Sequence, residues 1–287
     1  MRSARPSSRD PKRPTSARAA GKLAMSFFAV KDLTMTFGGL TALGGVSLSL
    51  DKGSVTAVIG PNGAGKTTLF NCIFGLYKPT SGSVRFKDQE LVGKGPHHMA
   101  ALGLGRTFQN IELFKKMTTL DNLLLGRHLH MKTGVLAGST FFRRGSSAAV
   151  EEIAHRHKVE EVIDFLDLQS ARNRYVGGLP YGTQKKVELG RALCMEPELL
   201  LLDEPVAGMN LEEKQDLMIW LKDIQEVFGV TLLIIEHDMR LVMEISDSIL
   251  VLNFGQPIAY GSPQEVQNHP EVLKAYLGED HAQAGAR

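Results

Sequence analysis

The chain has 287 residues, enough for one large or two small domains. Its 43% hydrophobic and 22% charged residues describe a foldable globular protein and exclude a disordered one. A net charge of +2 selects no class of partner, and no run approaches the ~18 uncharged apolar residues of a membrane-spanning helix. The basic excess is local: residues 1–24 hold Arg2, Arg5, Arg9, Lys12, Arg13, Arg18 and Lys22 against Asp10 alone. This Ser-, Pro- and Ala-rich stretch has no hydrophobic periodicity, so it is expected to be a disordered basic tail. It lacks the apolar core of a secretory signal. A weak attraction to an anionic membrane is a second use of its charge, and a start at Met25 would remove it. Cys72 and Cys194 lie far apart, each in an apolar helical pattern and outside any metal-ligand spacing, which favours a reduced, cytosolic protein.

Phe27 to Leu33 reads as a first strand, followed by a turn at Thr36–Leu40 and a second strand from Gly45 to Leu50. Position alone leaves Phe37 open between stacking on a purine base and ordinary packing. After Asp51-Lys52-Gly53, the apolar run Val55 to Ile59 enters Gly60-Pro61-Asn62-Gly63-Ala64-Gly65-Lys66-Thr67-Thr68. This is a complete GxxxxGK[ST] match, placed between a buried strand and a helix. Such a turn points several backbone N–H groups and the positive end of a helix into one concavity, a site for phosphate. Lys66 can reach the β- and γ-phosphates of a nucleotide, and the Thr67 hydroxyl can ligate Mg²⁺.

Leu69, Phe70, Ile73 and Leu76 give the next helix an apolar stripe, which Lys78-Pro79-Thr80-Ser81-Gly82 ends. Ser83 to Phe86 is a short strand, Pro96 to Leu102 a short helix, and Gly103 to Gln109 a strand running into a loop. From Asn110 to about Leu193 the character becomes helical, with helices at Leu120–Leu129 and Glu151–Leu166 joined by a glycine- and serine-rich connection over 134–147. His128, His130, His155 and His157 are spaced i,i+2 in pairs, which does not place both rings on one helix face; all four are expected to be surface helix residues rather than metal ligands.

Leu179-Pro180-Tyr181-Gly182-Thr183 leads into a helix from Gln184 to Cys194. Leu199 to Leu202 is a continuous apolar strand, the pattern of a central parallel strand buried on both faces, and it ends in Asp203-Glu204. Carboxylates directly after a buried strand are costly unless they face a cleft with a partner or an ion. The carboxyl ends of parallel strands share one edge of a sheet, so Asp203 can meet Mg²⁺ held by Thr67, and Glu204 can face an attacking water. A helix spans Leu211 to Phe228. A third apolar strand, Thr231 to Ile235, ends in Glu236-His237-Asp238, which brings His237 to the same edge as a γ-phosphate contact. A hairpin over 249–252 and 257–260 and short helices at Pro263–Val266 and Pro270–Leu277 close the chain. Strands and helices alternate outside a helical middle segment, an α/β nucleotide-binding core interrupted by a helical lobe.

In this order, the motifs resemble the ATPase subunit of an ABC transporter over roughly residues 26–278. The resemblance implies a P-loop NTPase core of ABC type with an antiparallel β subdomain and an inserted α-helical subdomain over about residues 110–194. Residues 25–280 would then form one domain, with 262–280 a C-terminal helical tail and 281–287 a flexible end. It implies that Gly60–Thr68 and Lys66 bind ATP, that Phe37 stacks on adenine, and that Thr67, Gln109 and Asp203 meet Mg²⁺. Glu204 is similar to the catalytic glutamate, His237 to the switch histidine, and Gln109 to the glutamine that senses metal, water and the membrane partner. Leu179, Pro180, Tyr181, Gly182 and Thr183 occupy the signature position that acts across a dimer. Ala207-Gly208-Met209-Asn210 lies where the D-loop contacts the opposite subunit.

Three stretches resemble the branched-chain amino acid importer ATPases of the LivG type: Gly105–Phe114, Leu179-Pro180-Tyr181-Gly182, and His269–Gly278. Urea-importer ATPases usually carry Ser-His-Gly at the signature, whereas amide importers are harder to separate. Pro180 stands where most family members have a serine and has neither its hydroxyl nor its N–H. Thr183 replaces a glutamine, and Gly190 replaces an alanine inside a helix, at a local cost of ~1 kcal/mol.

The implied function is ATP hydrolysis powering import of branched-chain amino acids. The implied partners are a second ABC ATPase subunit of a different chain (docked head-to-tail), two transmembrane permeases and, indirectly, an extracytoplasmic solute-binding protein, with no nucleic acid. The implied place is the cytoplasmic face of the inner membrane. Alternatives are the same role for an amide, urea or another amino acid, a lipopolysaccharide-type exporter, or a soluble ABC ATPase acting on nucleic acid or ribosomes. The last usually has two ATPase domains or a coiled-coil insertion in one chain.

Overall fold

A computed structural model describes residues 26–131 and 147–276. The basic tail, most of the connection over 134–147, and residues from 277 onward lie outside the described residues. Two sheets organise the rest. Phe28–Phe37 (β1) and Leu40–Leu50 (β2) form a hairpin, joined on the far side of β1 by Ser81–Phe86 (β4) and Gln89–Glu90 (β5) in an antiparallel sheet of order β2-β1-β4-β5. The first two strands run further than the apolar alternation predicts. Their ends pair as Thr36↔Thr41 and Phe37↔Leu40 around Gly38-Gly39, where backbone pairing continues without a buried face. Both glycines take positive φ, which makes the tight turn cheap.

The second sheet joins Val55–Ile59 (β3), Leu104–Arg106 (β6), Leu199–Asp203 (β7), Thr231–Ile235 (β8), Ser248–Asn253 (β9) and Gln256–Gly261 (β10) in the order β10-β9-β3-β8-β7-β6. Only β10 is antiparallel. Every residue of β3, β7 and β8 is buried. Their unbroken apolar runs follow from helices or sheet covering both faces. Alternate side chains divide accordingly: Leu200 and Leu202 join one core with the helical lobe, while Leu199 and Leu201 join the other with Phe70 and the antiparallel sheet. Register aligns Val58 with Ile235 and Asp203 with Ile235, so β3, β7 and β8 end level with one another. That common edge positions the site.

The helices are Lys66–Ile73 (α1), Pro96–Ala101 (α2), Thr119–Gly126 (α3), Ser147–Phe165 (α4), Tyr181–Leu193 (α5), Leu211–Phe228 (α6), Met239–Ile245 (α7), Pro263–Gln267 (α8) and residues 270–276 (α9). Sequence pattern and structure agree on the bounds of α6. Asn210 and Glu213 form a reciprocal capping box at its start, and Gly229 at φ 65° ends it. The α5 helix begins three residues before the predicted Gln184, directly after Pro180, which has no N–H for a preceding turn. The predicted helix Leu120–Leu129 stops at Gly126 and continues as a 3₁₀ turn, His128–His130.

The helical lobe corrects two expectations. His155 is buried rather than on the surface, because α4 turns it inward against Arg127, whose Nε donates to its Nδ1 at 3.3 Å. Arg127 also donates to the Cys194 carbonyl at 2.7 Å and pairs with Glu196 at 3.1 Å, so one buried guanidinium ties α3, α4 and the end of α5 together. Gly190 is likewise more than a weak helix former. A Cβ there would meet Leu123 at 2.9 Å, Leu166 at 3.0 Å and Val162 at 3.3 Å, and a Cβ on Gly126 would overlap the Arg191 carbonyl. Both glycines permit close approach of packed helices. Gly190→Ala should therefore be neutral to within about 1 kcal/mol in urea denaturation, because crowding cancels the helix-propensity gain. A clear gain of stability would show that the leucine ends relax freely. Burial pushes the Cys194 thiol up to about 12 and the Cys72 thiol up to about 11, which makes both inert packing residues.

Candidate active site

The loop after β3 can only be built with glycine at two points. Gly60 has φ 150°, and a Cβ on it would overlap the Leu252 carbonyl of the neighbouring β9. Gly65 has φ 100°, and a Cβ there would lie 2.6 Å from the Ala42 carbonyl. The backbone thus wraps tightly between β9 and β2 before entering α1. No side chain caps the first turn of α1, so its N–H groups and positive end remain available to an anion. Asn62 to Thr68 line one wall of a cavity of about 530 Å³. Lys66 is buried, and its Nζ donates to the Gly60 carbonyl at 2.5 Å and the Pro61 carbonyl at 2.9 Å, which hold the ammonium over the loop.

Gln109 and Glu204 also line the cavity. Gln109 Nε2 donates to Glu204 Oε2 at 2.8 Å. Glu204 has φ 48°, an uncommon conformation for a residue with a side chain, and its N–H donates to the Ile235 carbonyl at 2.9 Å. Asp203 and His237 do not line this cavity. Asp203 is buried behind it, with Oδ2 accepting from Arg106 Nη2 at 3.1 Å. Burial raises the Asp203 carboxyl, and the Arg106 guanidinium opposes that rise. His237 leaves β8 with an exposed side chain.

Phe37 stands at the end of β1, half-exposed, its ring edge-on to Tyr77 at 5.4 Å between centroids. Besides Ala64 of the phosphate loop, the apolar residues that line the cavity itself are Leu40, Ala42 and Phe254. Phe254 is 85% exposed and held at φ 45° by the β9–β10 turn, where the Gly255 N–H donates to the Ala64 carbonyl at 3.0 Å.

The residues expected to form the signature, Leu179 to Thr183, lie outside the cavity, at the start of α5. Leu179 is buried and Pro180 exposed. The Tyr181 ring packs over Gly208, 3.1 Å from where its Cβ would stand, and Gly182 packs against the Glu213 carboxylate. The stretches expected to form the signature and the D-loop therefore touch within one chain. Lys185 is buried one turn on, and its Nζ donates to the Gln109 carbonyl at 3.0 Å and the Phe108 carbonyl at 3.3 Å. Its neighbour Glu188, raised by burial and eased by Lys185, accepts from the Glu112 N–H at 3.4 Å. The start of α5 is thereby fastened to the loop that carries Gln109.

Arg106 is one of the residues to which sequence reasoning gave no role. Its Nη1 donates to Asn71 Oδ1 at 2.8 Å, its Nη2 to Asp203, and its guanidinium lies 4.9 Å from the Phe108 ring centre and 5.7 Å from that of Phe70. The available signal was a cation at the end of a buried strand, which demands a partner. Leu40 and Phe254 carried no such signal.

A family profile described as "ABC transporter" matches residues 43–207. The chain belongs to the ABC transporter family. A second profile, "Branched-chain amino acid ATP-binding cassette transporter", matches residues 256–282. The chain is 47% identical over 253 residues to the high-affinity branched-chain amino acid transport ATP-binding protein BraF of Pseudomonas aeruginosa, covering 87% of this chain and 97% of that one. It is 42% identical over 260 residues to LivG of Escherichia coli K12, covering 90% and 100%. Among solved structures, a nucleotide-free ATP-binding cassette from an ABC transporter superposes with a TM-score of 0.75 at 34% identity, over 88% of this chain and 99% of that one. The ADP conformation of an ATP-binding cassette superposes with a TM-score of 0.76 at the same identity and coverage. These comparisons bear out the expected fold class: a P-loop core of ABC type with an antiparallel β subdomain and an inserted helical subdomain.

Proposed function

We propose that this chain is the ATP-hydrolysing subunit of an importer for branched-chain amino acids, working at the cytoplasmic face of the inner membrane. Two observations support the two halves of that reading. The phosphate loop, Gln109 and Glu204 share one cavity, which supports hydrolysis. The match of residues 256–282, beyond the range of the general ABC profile, supports the solute class, together with the names of the relatives.

In this reading the loop amides, the first turn of α1 and Lys66 hold the β- and γ-phosphates and stabilise charge on the transferring phosphoryl group. Phe37, Leu40 and Phe254 contact the base and ribose. The Thr67 hydroxyl and the Gln109 amide oxygen line the cavity and are hard oxygen donors that fit Mg²⁺; the Asp203 carboxylate, outside the lining and paired with Arg106 through Oδ2, would be the third donor. Bound there with the nucleotide, Mg²⁺ would neutralise phosphate charge. Glu204 orients and polarises the attacking water, Gln109 holds the Glu204 carboxylate, and His237 contacts the γ-phosphate on closure. The signature from Leu179 to Thr183 acts on the nucleotide of a second, different ATPase subunit docked head-to-tail, and Ala207–Asn210 contacts that subunit. Pro180 has no hydroxyl or N–H to offer, so the contact falls to Tyr181, Gly182 and Thr183. Two permease subunits receive the motion through the Gln109 loop and the helical lobe, and a solute-binding protein outside the membrane delivers the cargo.

The test is purification of the native complex from membranes, identification of its permeases, and uptake of labelled leucine into proteoliposomes with ATP inside. Leucine uptake that requires ATP supports the reading. Purification with ribosomes or nucleic acid alone, or uptake of an amide in preference to leucine, would overturn it.

A further inference from the structure

Glu236 is a carboxylate with no exposed surface, set between the apolar strand β8 and His237. Its two oxygens serve two different turns. Oε1 accepts from the Val206 N–H at 3.1 Å, and Oε2 accepts from the His237 N–H at 2.9 Å and the Asp238 N–H at 3.3 Å. Val206 belongs to the turn that begins at Glu204. That turn is strained, since Glu204 has φ 48°, and it is tied to β8 at a second point by the Glu204 N–H on the Ile235 carbonyl. The carboxylate thus sits as a strut between the turns after β7 and β8.

An apolar residue at 236 would leave three N–H groups, one buried and two partly buried, without their acceptor, and a hydroxyl could not reach both turns. Lys214 fixes the far side of the His237 turn by its ion pair with Asp238 at 2.8 Å. Asp238 also caps α7 by accepting from the Leu241 N–H. The His237 backbone is therefore held from both sides while its ring stays exposed.

We propose that Glu236 is a positioning residue that locks the Glu204 turn to the His237 turn, so that both groups keep one geometry toward the nucleotide. This rests on the reading above that Glu204 and His237 act in ATP hydrolysis. Glu236 is fully buried and acts through the two backbone turns and on the His237 ring, whose Nδ1 lies 3.8 Å from Glu236 Oε2.

The test uses the full-length chain. Glu236→Gln keeps the shape but turns an amide NH₂ toward one of the backbone N–H groups. The expected result is binding of a fluorescent ATP analogue within about twofold of wild type and kcat lower by about 100-fold, the scale of a small misplacement of reacting groups. In a His237→Ala background the same change should cost far less than it does alone, because the two act through one arrangement. A structural residue would instead give equal losses in both backgrounds and a lower Tm.

Amide hydrogen exchange in the unsubstituted chain is independent of any folding defect. Val206, His237 and Asp238 should be protected together, opening as one unit. Unchanged kcat in Glu236→Gln, equal losses in the two backgrounds, or loop-like exchange at Val206 would each overturn the proposal. If Glu204→Gln and His237→Ala themselves leave hydrolysis intact, the functional reading fails instead, and the exchange result still reports on the strut.

Discussion

Glu204→Gln should bind ATP with affinity within about threefold of wild type and lose turnover by about 100-fold or more, the range carried by general-base catalysis. The substitution is isosteric. A glutamine oxygen can still accept from Gln109 Nε2, which stands 2.8 Å from Glu204 Oε2, so the side chain keeps its anchor. The strained backbone is held by the Ile235 carbonyl and does not depend on the carboxylate. What is removed is the negative charge in the cavity that the phosphate loop also lines. Binding depends on the loop from Asn62 to Thr68, which the substitution does not alter. The measurement is titration with a fluorescent ATP analogue beside phosphate release by the assembled transporter. Near wild-type phosphate release would remove Glu204 from the mechanism.

The second large effect is on stability. Arg106→Met should destabilise the chain by about 3–5 kcal/mol, the cost of leaving a buried charge without its partner. Both side chains of the Arg106–Asp203 pair are almost wholly buried. Methionine fills space among Phe70 and Phe108 but strands the Asp203 carboxylate and the Asn71 oxygen. Arg106→Lys should recover part of the loss, since an ammonium keeps the charge but cannot bridge Asn71 and Asp203 as a fork.

The pH dependence has a definite sign. Burial raises the Asp203 carboxyl above the usual carboxylate range, and Arg106 is the largest influence opposing it. Without Arg106 the folded value rises further. A carboxyl with a raised folded value takes its proton more readily in the folded state, so folding gains as pH falls through the window between the raised value and the ordinary one. The deficit of Arg106→Met should therefore shrink as pH falls from the variant's folded value to the lower, still raised, value of the wild type, below which both proteins gain alike. Denaturant unfolding at neutral and acid pH measures it. A deficit independent of pH would mean that packing against the phenylalanines, not the ion pair, is what Arg106 supplies.

The parts of the site legible in the sequence are those where chemistry and local backbone coincide. Gly60 and Gly65 are required by local sterics, Lys66 and Thr67 follow at fixed spacing, and Glu204 ends a strand whose burial is written in four leucines. The less legible parts depend on which strand lies beside which. Arg106 and Asp203 are 97 positions apart and meet because β6 pairs with β7, Arg106 opposite Leu201. Glu236 meets Val206 because β8 lies on the other side of β7. Phe254 reaches the phosphate loop only because β9 pairs with β3. His155 reads as a surface residue until α4 is packed, and Gly190 as a flaw until Leu123 and Leu166 close over it.

By itself, then, the sequence determined the type of most strands and helices, missing β5 and α7, together with the phosphate loop and membership of a family whose motifs recur in order. It could do so because hydrophobic period, glycine sterics and strand-end carboxylates are local properties. The tertiary structure alone decided what holds those motifs in place: the Arg106 fork behind Asp203, Lys185 on the Gln109 loop, and Glu236 between two turns. Each is a buried charge, and the partner that makes a buried charge tolerable is set by strand order and packing, which no local pattern encodes.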